Sequence, residues 1–112
     1  MSNQSPSAQR DFLLSLYNKA VATALPDICV PPHLPNLADC GRVVIVGGGK
    51  ASGAMAQAAM RHYKEQGVLN KIDGLITTRP GYDMPAEQLE TVLAGHPIPD
   101  AGSIAGAKQT LE

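Results

Sequence analysis

The run RVVIVGGGKASGAMAQAAM, from Arg42 to Met60, restricts this chain more than any other stretch. Arg42 to Val46 is a β-branched run without polar alternation, which predicts a short strand buried on both faces, as in a parallel sheet. Three glycines end it. Ala51 to Gln66 then predicts a helix, with Ala51, Met55, Ala59 and Tyr63 along one side and small residues that permit close approach. Strand, glycines and helix in this order present backbone N–H groups at the C-terminal edge of a sheet, where an anion is favoured. Lys50 opens that helix, although a helix N-terminus is already electropositive. The cation carries a small penalty there, so an anionic ligand that offsets it is expected.

The flanks extend the pattern. Ser7 to Leu25 reads as a helix capped by Ser7 and stopped by Pro26, and residues 26–41, with four prolines, read as a connecting loop. Arg61 and Lys64 suit the end of the glycine-loop helix, and Gly67 its C′ position. Ile72 to Thr77 predicts a second strand, which completes a βαβ unit, and Glu90 to Ala94 a third. A last helix starts near Ala101, capped by Asp100. The predicted fold is α/β: a Rossmann-like three-layer α/β/α arrangement around a mostly parallel sheet.

Bulk properties narrow the function. A chain of 112 residues supports one domain, and 44% hydrophobic with 17% charged residues is a globular composition. The net charge of −1 with no basic block argues against general binding to nucleic acid or to an anionic membrane. The opening MSNQSPSAQR lacks the apolar core of a signal peptide, and no apolar run nears the ~20 residues of a membrane span. A cytoplasmic protein is the expectation. Cys29 and Cys40 have no C-x-x-C spacing and read as reduced thiols.

Several chemistries compete for the glycine loop. A Walker A loop fails twice, because Val44 stands at its first glycine and Ala51 follows Gly49-Lys50. A dinucleotide fingerprint uses Gly47 and Gly49 but meets Ser52 at its third glycine, and Thr78-Arg79 replaces the expected acidic residue. Arg79 can instead meet a 2′-phosphate, which leaves NADP open. The third reading is an oxyanion site, with Lys50 as a point charge beside the amides of Gly47, Gly48 and Gly49. The plain alternative is a tight turn with a solvated lysine. His96-Pro97-Ile98-Pro99-Asp100 follows the third strand, so in a parallel sheet it shares the edge of the glycine loop. His96 is a candidate general base or hydrogen-bond donor. Asp100 reads first as a helix cap, Tyr82 and Asp83 as turn residues on the same edge, and His33 and His62 as surface residues.

The segments RDFLLSLYNKAVATALP, GRVVIVGGGKASGAMAQA, GLITTRPGYDMP and VLAGHPIPDAGS resemble, in order and spacing, the N-terminal part of the glycerate 2-kinase family (type II, MOFRL-containing). Some of its members carry the name hydroxypyruvate reductase. The resemblance runs from Arg10 onward. It implies transfer of phosphate from ATP, with Mg, to the 2-hydroxyl of D-glycerate, in a cleft between a Rossmann-like domain and a second α/β domain. It implies Lys50 and His96 as catalytic residues, and Gly47, Gly48, Gly49, Lys50, Ser52 and Asp100 around substrate or phosphate; no metal ligand is carried over. Family members are several times longer. Residues 1–112 are therefore expected to form one α/β domain, cut in or near the helix starting at about 100 and inactive alone. Two alternatives stand beside this: an NAD(P)-dependent hydroxypyruvate reductase, and a non-catalytic module that binds small anions or another chain, a homodimer included.

Overall fold

Prolines decide where the first helices begin. In the computed structural model, which describes residues 5–112, α1 (Pro6–Ala24) opens with Pro6, at a position that needs no backbone N–H. The cap is therefore Ser5, whose Oγ accepts the Ala8 N–H at 3.2 Å, and not Ser7. Pro26 and Pro31 likewise open α2 (Pro26–Cys29) and a 3-10 turn at Pro31–His33. The expected proline-rich loop is thus partly helical, because proline opposes a helix interior but suits its first turn.

Three parallel strands follow: β1 (Val43–Gly48), β2 (Ile72–Thr78) and β3 (Glu90–Leu93), in the order β1-β2-β3. The register runs from Val43 beside Ile72 to Gly48 beside Thr77, and from Leu75 beside Glu90 to Thr78 beside Leu93. Between β1 and β2 lies α3 (Ser52–Glu65). Gly67, at φ +72°, ends it as expected: its N–H donates to the Lys64 carbonyl and the Val68 N–H to the Tyr63 carbonyl, the two bonds of a Schellman cap.

Successive residues of β2 face opposite layers. Ile72 and Ile76 join Ala56, Met60 and Tyr63 of α3 in the core, where the Tyr63 hydroxyl donates to the Pro35 carbonyl at 2.8 Å. Thr77 lies beneath Gly106 of α4 (Ala101–Leu111), on the other face. The expected helix–sheet–helix layering is present, in incomplete form.

The remaining differences have one cause, the edge position of β1. Val44 and Val46 are 57% and 56% exposed, so β1 is not covered on both faces; α4 lies against β2 and β3 instead. On α3 the buried residues are Ser52, Gly53, Ala56, Ala58, Ala59, Met60 and Tyr63, while Met55 is exposed and Ala51 precedes the helix. α1 buries none of its residues and touches mainly α2. The radius of gyration is accordingly 18.6 Å, against about 13 Å for a compact domain of this size. His33 is exposed, whereas His62 is half-buried with its ring edge toward Tyr63. Cys29 and Cys40 are free and exposed, and no described helix is long and apolar enough to cross a membrane.

Candidate functional site

The parallel register brings the three strand ends together. Past the end of β1, the Gly49 N–H donates to the Thr77 carbonyl at 3.0 Å; past β3, the Ala94 N–H donates to the Thr78 carbonyl at 2.8 Å. Both flanking loops are thereby pinned to the central strand. Gly49 turns the chain out of β1 at φ +109°, which disfavours any residue with a side chain. The Ser52 hydroxyl donates to the carbonyls of Gly49 at 2.7 Å and Thr77 at 3.1 Å, closing the loop from beneath.

The two helices that open at this edge start differently. α4 has a reciprocal cap: the Ser103 N–H donates to Asp100 Oδ1, and the Asp100 N–H to Ser103 Oγ. α3 has Ala51 at its N-cap and no side-chain hydrogen bond there. Its first N–H groups are thus without side-chain acceptors, the condition under which a helix start attracts an anion.

An open cleft of about 610 Å³ lies at this edge, on the α4 side of the sheet. Its wall is formed by Gly47–Gly49, Thr77–Arg79, Ala94–His96 and four residues of α4. The glycine loop and His96, expected to share an edge, therefore share one cleft. Other candidates lie elsewhere. Lys50 is exposed at the loop tip and is not on the wall. Ser52 lines a second, apolar groove of about 300 Å³ on the α3 side, with Met55 and Leu34. Asp100 caps α4 behind the wall.

Arg79, expected from its sequence position only as a partner for a 2′-phosphate, stands on this wall as well. It is half-buried, stands just past β2 and is the one permanent cation on the described cleft wall, which carries no carboxylate. The signal was its position, one residue after the central strand. Thr78 Oγ1 is buried without a hydrogen-bond partner, and by alternation it shares the α3 face with Ile76.

The Asp100 carboxyl is held below its ordinary value of 3.8, first by the Gly95 amide, against desolvation, and further by the Ser103 and Gly102 amides and the Ser103 hydroxyl. A carboxyl lowered in the folded state adds stability that is present above the ordinary value and lost as pH falls through the lowered one. We expect the urea midpoint of the wild-type chain to fall below about pH 4 by more than that of Asp100→Asn, which keeps an uncharged cap. Parallel pH profiles for the two proteins would contradict this role.

Parallel strands with a glycine loop and a histidine loop flanking one cleft define an incomplete doubly wound α/β protein whose strand-end loops meet at one edge. The chain belongs to the family described as a domain of unknown function, DUF4147, which matches residues 12–112, and with it to the glycerate 2-kinase family. It is 39% identical over 100 residues to an Agrobacterium vitis protein provisionally named hydroxypyruvate reductase, covering 89% of this chain and 22% of that one. It is 33% identical over 109 residues to the D-glycerate 2-kinase of Thermotoga maritima, covering 96% of this chain and 25% of that one. A crystal structure of a Pyrococcus horikoshii protein superposes with a TM-score of 0.68 at 29% identity, over 96% of this chain and 25% of that chain. The chain thus spans about a quarter of the length of these relatives.

Proposed function

We propose that this chain supplies one side of a phosphoryl-transfer site that phosphorylates the 2-hydroxyl of D-glycerate, with ATP as donor. The observation that carries this reading is the α3 start without a side-chain cap, opening beside a cleft whose wall holds a permanent cation and no carboxylate. The name D-glycerate 2-kinase on one relative supplies the substrate and reaction. Phosphoryl transfer asks a protein mainly for positioning and for stabilisation of negative charge. Gly47–Gly49 and the first N–H groups of α3 provide fixed dipoles, and Lys50 adds a mobile charge at the loop tip. The 2-hydroxyl oxygen bonds to the γ-phosphorus, the bond to ADP breaks, and the hydroxyl proton passes to His96. The described residues contain no group of three His, Cys, Asp or Glu able to hold a metal, and a Mg²⁺ carried on the ATP phosphates would neutralise charge there with few protein ligands. Gly47 and Gly48 shape the turn, Ser52 holds it closed, and Asp100 anchors the helix behind His96.

The test is a chimera in which this chain replaces the matched segment of the Thermotoga maritima relative. Glycerate-dependent ADP release is expected, with a loss of at least about 100-fold in Lys50→Ala, the scale of removing one transition-state charge contact. Full activity in Lys50→Ala would remove the lysine from the mechanism. The relative named hydroxypyruvate reductase, with Arg79 on the cleft wall, favours a second reading. NADPH oxidation by hydroxypyruvate, without ADP release from ATP, would establish it over the kinase. The 112-residue chain alone is expected to bind anions without turnover.

A further inference from the structure

We infer that Arg79 forms a carboxylate subsite in this cleft, so that the site selects small 2-hydroxy acids over neutral polyols. The inference rests on the reading of the glycine loop as the phosphoryl side of the same cleft. Arg79 is the first residue of a tight turn closed by the Tyr82 N–H donating to the Arg79 carbonyl at 3.1 Å. Pro80 and Gly81, at φ +87°, fill the two central positions as a type II turn requires. The turn is held against α3, where a Cβ on Gly53 would lie 2.6 Å from the Tyr82 carbonyl oxygen. The backbone that carries Arg79 is therefore fixed by the turn's own hydrogen bond and by packing against α3.

The side chain is equally constrained. Its guanidinium carbon lies 4.8 Å from the centroid of the Tyr82 ring. Stacking occupies the face of the guanidinium and leaves its in-plane N–H groups available, the edge that recognises a carboxylate through two parallel bonds. Arg42, Arg61 and Lys64 each meet an aspartate or glutamate, whereas Arg79 has no such partner among the described residues. A half-buried cation without a counter-charge is electrostatically incomplete, and an anionic ligand completes it.

Strand order supplies the substrate's orientation. β2 lies between β1 and β3, so the Arg79 turn emerges between the glycine loop and the His96 loop. A carboxylate bound at this central position leaves the hydroxyl on the adjacent carbon between the two flanking loops. One is the proposed phosphoryl side, and the other carries the proposed base. Glycerol, with the same hydroxyls and no carboxylate, lacks the group that Arg79 would hold.

The experiment is a titration of the ¹⁵N-labelled 112-residue chain with D-glycerate, glycerol, inorganic phosphate and NADPH, followed at the amides of Gly47–Gly49 and at Arg79 Nε. D-glycerate is expected to shift both regions and glycerol neither. Arg79→Gln should weaken glycerate binding about 10- to 100-fold, the scale of losing a charge-assisted contact, while phosphate still shifts the glycine loop. Arg79→Lys should recover part of the loss, and Tyr82→Leu should show a smaller loss with the charge intact. Equal glycerate affinity in wild type and Arg79→Gln would overturn the subsite and leave the glycine-loop reading standing. Shifts with NADPH but not glycerate would overturn it in favour of the 2′-phosphate role. A wild-type chain unmoved by both glycerate and phosphate would overturn the subsite and the glycine-loop reading together.

Discussion

Ile76→Ala is expected to lower the unfolding free energy by about 3–4 kcal/mol, read as a shift of the urea midpoint at unchanged slope. Ile76 is 1% exposed at the centre of β2, against the Met60 and Tyr63 side of α3. Its Cγ2 lies 3.3 Å from where a Cβ on Gly47 would stand, so the same methyl supports the glycine loop. The substitution removes three carbons, about 2.4 kcal/mol of transfer free energy, and the space left behind adds to this. Val44→Ala is the contrasting measurement. Val44 is 57% exposed on the edge strand, and its loss is expected to cost below about 1 kcal/mol. Equal costs for the two variants would show that the sheet does not bury its α3 face as described.

The second large effect is expected from Gly53→Val. A Cβ here would stand 2.6 Å from the Tyr82 carbonyl oxygen and 3.3 Å from the Met84 nitrogen, both backbone atoms that cannot rotate aside. Replacing a glycine in a helix favours folding by less than about 1 kcal/mol, and overpacking costs about 1–3 kcal/mol, so the collision decides the sign. A net destabilisation of about 2 kcal/mol is expected, by urea denaturation. Because the displaced segment carries Tyr82, the Arg79 Nε–H resonance should move as well. Gly48→Ala provides the control: no atom lies within 4 Å of its added Cβ, and its φ is not positive. A change within about 0.5 kcal/mol is expected there. A Gly53→Val protein as stable as wild type, with Arg79 unmoved, would refute the packing of the 82–84 segment on α3.

Much of the architecture was legible because its signals are local. The β-branched run at Val43–Val46, the helical spacing of small residues after Ser52, the left-handed Gly67 and the Asp100 cap each act within a few residues. The shared cleft of Gly47–Gly49 and His96 followed from one further step, since parallel strands release their loops at one edge. The start of α1 was misplaced because Pro6 shifts the cap by geometry rather than by side-chain preference. The exposure of Val44 and Val46 was not legible: the same apolar run suits a central or an edge strand, and only strand order separates the two.

Sequence alone determined the three strands, the three longer helices, their order and the glycine–lysine junction, all of which depend on backbone preference and short-range spacing. Tertiary structure decided which side chains face the cleft. Lys50 and Ser52 lie near Gly49 in sequence, yet one is exposed at the loop tip and the other is bonded beneath it. Arg79 lies thirty residues beyond Gly49 and stands on the same wall, because strand pairing sets Thr77 beside Gly48. A side chain's direction depends on the twist, register and packing of strands distant in sequence, and no local pattern of residues encodes that sum.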